Sequence, residues 1–197
     1  MEKPFAESCV QNRAPILEVL APRLSTSRRL LEIGSGTGQH AVYFAPEMPW
    51  LQWQTSDRRD NHAGIRAWIT ESNATNVLAP LVLDVLEDSW PSETYDAAFS
   101  ANTAHIMTTD AVATMFHGIG GILRDHGDFL LYGPFSYAGK HTASSNSEFD
   151  HWLKLRDPSM GVRDVDWLST LADDAGLSLV EDVPMPADNR TLVWRKM

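Results

Sequence analysis

The chain holds a single cysteine, Cys9, in 197 residues, which excludes an internal disulfide and a cysteine-based metal cluster within one chain. It has no run near the roughly 18 apolar residues that a helical membrane span needs, so no membrane partner is expected. Basic residues are in deficit: 16 Lys and Arg against 26 Asp and Glu give a net charge of −10. A protein that grips a phosphate backbone carries a basic field over its contact surface, so no nucleic acid partner is expected either. The start, MEKPFAESCVQNR, lacks the apolar core of a secretion signal and the basic, acid-poor bias of a transit peptide, which makes the cytoplasm the default. His62, His117, His126 and His151 show no i, i+4 pairing around an acid, so no metal site is expected of them.

What is present is an ordinary globular composition, 43% hydrophobic and 21% charged, over a length that suits one domain burying roughly 70% of its unfolded surface. Helical and strand-like stretches alternate. Helices are expected over Asn12–Leu24, Gly38–Ala45, His62–Glu71, Asp110–Leu123 and Val165–Ala175, from apolar residues spaced as on one helix face. Strands are expected at Arg29–Ile33, Leu51–Thr55, Leu81–Val85, Tyr95–Ser100 and Asp128–Tyr132, then at LSLVEDVPMP and TLVWRK, joined by the short connection Ala187–Arg190. The fold class that follows is α/β: a seven-stranded, mostly parallel, Rossmann-like sheet with helices on both faces and a C-terminal antiparallel hairpin.

In such a sheet, ligands bind beyond the carboxyl ends of the strands, and the turn after the first strand is the usual cradle. Here that turn reads LLEIGSGTGQH, with Glu32 two residues before Gly34 and further glycines at Gly36 and Gly38. A dinucleotide fingerprint spaces its glycines G-x-G-x-x-G, and this run does not. A side chain at any of the three glycines is expected to obstruct a ligand. Asp57, nineteen residues after Gly38, stands where a carboxylate can accept both hydroxyls of an adenosine ribose. Asp84, with Val85 beside it, ends the third expected strand and can meet an adenine amino group. Capping or turn formation is the alternative role for both acids.

The pattern resembles a class I S-adenosylmethionine-dependent methyltransferase, through LEIGSGTG, Asp57, LDV at Asp84, the seven strands and the closing hairpin. More narrowly it is similar to the DUF938 or UPF0585 family, which includes methyltransferase-like protein 26. QNRAPILEVL, ANTAHI, LLYGPF, HTASSNSEFD, RDPSMGVRD and VPMPADNRTLVWRK carry that similarity from about residue 8 to 197. One departure is Met107, Thr108 and Thr109 after His105 and Ile106, where the family would have a proline and an aromatic. The resemblance implies one domain over 1–197, with S-adenosyl-L-methionine as cofactor and residues 1–27 as a helical cover. Glu32, Gly34, Gly36, Gly38, Asp57, Asp84, Val85 and Asn102 are its expected cofactor contacts.

The acceptor side is read from two regions. His105 follows the fourth strand and can take a proton near neutrality, while Asn102 can orient the methionine part or the acceptor. Residues 135–164, after the fifth strand, form a long polar stretch that reads as a substrate loop. There His141, Asn146 and Asp150 are expected to face the acceptor, with Tyr132 and Phe135 as walls. The plainer role for Asn146, or for Ser147 with Asp150, is to cap a helix running into Trp152. Arg13 is expected to open the first helix and pair with a carboxylate of donor or acceptor. His105, His141 and Asp150 are the catalytic candidates, and Arg13, Tyr132, Phe135 and Asn146 the acceptor contacts. The acidic charge favours a small-molecule methyl acceptor. A macromolecular acceptor, and a module that binds the cofactor without transferring methyl, remain open; a nicotinamide oxidoreductase is a weaker fourth.

Overall fold

A computed structural model describes residues 3–197. In chain order the elements are α1 (Glu7–Arg23), β1 (Arg29–Ile33), α2 (Gln39–Phe44), β2 (Gln52–Asp57), α3 (His62–Glu71), β3 (Val77–Val82), β4 (Tyr95–Ala101), α4 (Thr109–Ile122) and β5 (Leu123–Gly133). There follow β6 (Phe135–Tyr137), β7 (Lys140–His141), α5 (Ser144–Arg156), β8 (Arg163–Asp164), α6 (Val165–Asp174), β9 (Leu177–Pro184) and β10 (Arg190–Lys196).

Among the described residues, seven strands form one sheet in the order β3-β2-β1-β4-β5-β10-β9. The first five run parallel, and β10 pairs antiparallel with both β5 and β9. Neighbouring strand residues serve opposite faces, as the pleat requires. Leu31, Ile33, Ala98, Phe129, Leu131, Leu192 and Trp194 pack with α4 and α6. Leu30, Trp53, Ala97, Phe99, Leu130 and Val193 pack with α1 and α2. Burial on both faces explains why these strands read as continuous apolar runs.

Chain direction reverses its sense of progression between β1 and β4, the switch point where open α/β sheets leave a crevice at the strands' carboxyl ends. The glycine turn follows β1 at that crevice. A cavity of about 190 Å³ lined by Thr26, Asp96, Arg124 and His126 opens instead at the amino ends of β1 and β4, away from the strand ends where ligands bind in such sheets.

Three sequence expectations are corrected. The third strand starts and ends earlier than Leu81–Val85, because β3 is an edge strand and admits Pro80 in its interior; its register against β2 shifts between Gln54 and Ser56. The first helix starts at Glu7, so Arg13 lies within it and does not open it. Residues 135–164 are not a loop: they form a small sheet, β7-β6-β8, and the 13-residue helix α5.

Candidate functional site

At the turn after β1 the three glycines have left-handed backbones for different reasons. A Cβ on Gly34 would stand 2.6 Å from Thr103 Cγ2, and one on Gly38 would stand 3.0 Å from the Ile65 Cα of α3. Both are therefore also constrained by neighbouring chain. Gly36, at φ +58°, has nothing within 4 Å of where its Cβ would be. Open space lies over Gly36 alone.

Two carboxylates belong to the strands at this turn, Glu32 in β1 and Asp57 at the end of β2. The Asp57 Oδ2 accepts the Gly36 N–H at 2.6 Å, and its Oδ1 accepts the Arg58 N–H and the Asn61 amide, each at 2.7 Å. Glu32 is 2% exposed and accepts the Ser35 hydroxyl at 2.8 Å and the Trp53 indole at 3.0 Å, both on Oε2. Burial pushes the Glu32 carboxyl up to about 7, against those two donors and with help from Asp57.

The segment before and within α1 crosses this turn, which the sequence signalled only as a helix. Ala6 donates its N–H to Gln39 Oε1 at 2.6 Å, the Trp68 indole donates to the Pro4 carbonyl at 2.7 Å, and Pro4 packs on Gly64. Asn12 Oδ1 meets His40 Nε2 at 2.8 Å, while Cys9 Sγ lies 3.9 Å from His40 Nδ1. Burial and then Arg13 hold His40 down to about 4. Burial and then Glu32 push the Cys9 thiol up to about 11, so it is not an activated nucleophile. Arg13 stacks over the Tyr43 ring at 4.4 Å.

The other expected cofactor residues are arranged less directly. Asp84 and Val85 lie past the end of β3. Leu83 donates to the Asp57 carbonyl and keeps the segment beside the crevice, but the Asp84 Oδ1 accepts the Leu86 N–H in a turn and Val85 is a core residue. The turn role stated for Asp84 is thus realised. Asn102 follows β4 with φ +60°, its N–H bonded to the Tyr132 carbonyl, and its side-chain amide makes no hydrogen bond among the described residues.

On the acceptor side a chain of contacts joins three of the candidates. The His105 ring packs edge-on against Phe149 at 5.2 Å and against Gly133 at the end of β5. Next to Phe149, Asp150 is buried and accepts the Lys154 ammonium at 2.6 Å and the Val162 N–H at 2.8 Å. His141 Nε2 lies 3.6 Å from Asp150 Oδ2, too far for a hydrogen bond, and its buried Nδ1 has no partner among the described residues. Burial and then Arg163 hold His105 down to about 4, so it is neutral at pH 7; the expectation that it takes a proton near neutrality is corrected.

Two other acceptor residues are also revised. Asn146 caps nothing: it sits inside α5, buried, and donates to Thr142 Oγ1 and to the Asp188 carbonyl in the β9–β10 turn. Phe135 is 1% exposed within the core on the α4 face, so it is no pocket wall. Tyr132 is 4% exposed on the α1 face; burial raises its phenol, opposed by the neighbouring Asn12 amide. The residue that sequence reasoning missed is Arg163, whose buried guanidinium donates to the carbonyls of Ala104, Met107 and Ser159. The motif GVRD was its only signal.

The sheet order with its closing antiparallel hairpin is the class I methyltransferase fold. The chain belongs to the DUF938 family, described as a protein of unknown function, whose model matches residues 3–196. Solved structures with the same fold include the mitomycin 7-O-methyltransferase MmcR, at 17% identity and a TM-score of 0.83, covering 96% of this chain and 54% of that one. An O-methyltransferase family protein from Burkholderia thailandensis matches at 14% and 0.84, covering 96% and 57%. Human N-acetylserotonin methyltransferase, in complex with SAM, matches at 15% and 0.73, covering 93% and 54%. The chain thus spans just over half the length of each of them. No helix among its described residues is long and apolar enough to cross a membrane.

Proposed function

We propose that this chain binds S-adenosyl-L-methionine at the glycine turn and transfers a methyl group to a small-molecule acceptor. The observation that carries the reading is the open space over Gly36, whose N–H is held by the buried Asp57 carboxylate in a turn that follows the strand of the buried Glu32. The residues present fit the cofactor. Asp57 Oδ2 keeps acceptor capacity beyond the Gly36 N–H and suits a ribose hydroxyl. Glu32 has an oxygen, Oε1, without a partner among the described residues and puts acidic character where a cationic ligand would gain from it. Asn102 brings a free amide, Asp84 and Val85 border the crevice beyond Asp57, and Arg13 offers a cation for a carboxylate.

Bound there, the cofactor supplies an electrophilic methyl carbon, and much of the rate then comes from holding donor and acceptor in line. The chain's own task is to orient the acceptor and remove its proton where it has one. His141 Nδ1 is the candidate base, since it is buried and unpartnered. Asp150 stands on its other side, shared with Lys154. His105, held neutral, can accept a hydrogen bond from the acceptor, and Tyr132 and Asn146 hold the surrounding elements in place.

Isothermal calorimetry with S-adenosylmethionine, S-adenosylhomocysteine and NAD tests the reading. Binding of both adenosyl ligands and not of NAD supports it. Heat with NAD alone, or with none of the three, overturns it.

A further inference from the structure

Arg163 is 8% exposed and hydrogen-bonds no carboxylate; among the described residues its partners are backbone carbonyls. A buried charge is costly unless it is fully engaged, and the pattern of engagement is specific. Nε donates to the Ala104 carbonyl at 3.0 Å and Nη2 to those of Met107 and Ser159. Between them, the His105 carbonyl accepts the Gly161 N–H at 2.9 Å. The turn carrying His105 is therefore gripped from residues 104 to 107 by one guanidinium fork and one glycine.

A Cβ at Gly161 would stand 2.8 Å from Asp150 Oδ1 and 3.0 Å from Lys154 Cε, so the glycine leaves room for both side chains. The charged groups on the elements around the His105 ring are Arg163 of β8 and, beside Phe149 on α5, Asp150 with Lys154; on β5, Gly133 lies against it. Tying two loops together needs only a donor. A guanidinium next to an imidazole also disfavours a second positive charge.

We propose that Arg163 is a positioning residue: it clamps the 104–107 turn and so holds the His105 ring where it can accept a hydrogen bond from a hydroxyl or amine of the acceptor. The catalytic consequence rests on the methyltransferase reading, whereas the clamp and the neutrality do not.

The test is an NMR titration of the His105 imidazole, assigned with His105→Gln, together with amide exchange at Gly161, in wild type, Arg163→Met and Arg163→Lys. The wild-type ring should stay neutral until near pH 4. Arg163→Met should move its midpoint up and speed Gly161 exchange. Arg163→Lys should keep the low midpoint, having kept the charge, and still speed exchange, having lost the fork. A wild-type midpoint near the ordinary histidine value, or the same midpoint in wild type and Arg163→Met, overturns the proposal. Should Arg163→Met fail to fold, unchanged Gly161 exchange in Arg163→Lys overturns the clamp. Failure of the cofactor to bind, with the titration as expected, removes the methyltransferase reading and leaves the clamp.

Discussion

The turn after β1 and the region after β5 present polar groups in opposite ways. Around Gly36 the geometry is local: a strand end, three left-handed glycines and the carboxylate of the adjacent strand bonded to the turn's own N–H. Around His141 and Asp150 it is assembled from afar, with α5 tied to the β9–β10 turn through Asn146 and Asp188, and β8 tied to the β4–α4 turn through Arg163. A local device survives changes elsewhere in the chain. An assembled one depends on every tether.

Four outcomes would break or sharpen this comparison. The largest effect is expected on the assembled side: His141→Ala should leave adenosyl-ligand affinity intact and lower turnover by about 10²–10⁴-fold once an acceptor is found, as loss of a general base does. Calorimetry and single-turnover rates measure the two separately, and lost cofactor binding would mean that the two regions are not independent. On the local side, Gly38→Ala should cost about 2 kcal/mol of stability in urea unfolding, since it forces a left-handed backbone and meets Ile65. Gly36→Ala should cost less stability and more affinity, because its side chain enters open space; equal effects at the two glycines would dissolve the distinction.

Asp57→Ala should weaken adenosyl-ligand binding by about 1–3 kcal/mol through lost charge-assisted hydrogen bonds, read by calorimetry as a 5- to 150-fold rise in Kd. The smallest effect concerns Glu32. Its carboxyl is raised in the folded state, so the folded protein binds the extra proton, and stability falls as pH rises through about 7. His40 and His105 are lowered, so their contributions oppose this most strongly below about pH 6.5 and fade above it, equally in wild type and Glu32→Gln. Between pH 6.5 and 8 the ligand-free protein should therefore lose roughly 1 kcal/mol relative to Glu32→Gln, which lacks this titration and keeps the histidine contributions. Equal slopes in both proteins would mean that Glu32 titrates normally.

The same contrast governs what could be read from the chain. The apolar runs, their alternation with helical spacing and the E-I-G-S-G-T-G turn were legible, since each depends on residues within a few positions of one another. Asp57 was legible because it ends the strand next to β1. Asp84 and Val85 were placed a few residues wrongly, as Pro80 hid the true span of an edge strand. Residues 135–164 looked like a loop because their small sheet pairs β6 with β8 across 28 positions, Ser136 with Asp164, and no local pattern encodes that.

Sequence by itself determined the doubly covered sheet, the glycine turn and the family, because backbone conformation and burial are set by short-range residue pattern. Only the tertiary structure decided that Gly36 alone faces open space and that Glu32 sits near neutrality through burial. It likewise placed Asn146 as a tether and set Arg163 against the His105 turn. Each of these depends on which distant atoms come within a few ångströms, and it is that proximity, with the water it excludes, that sets charge state and access.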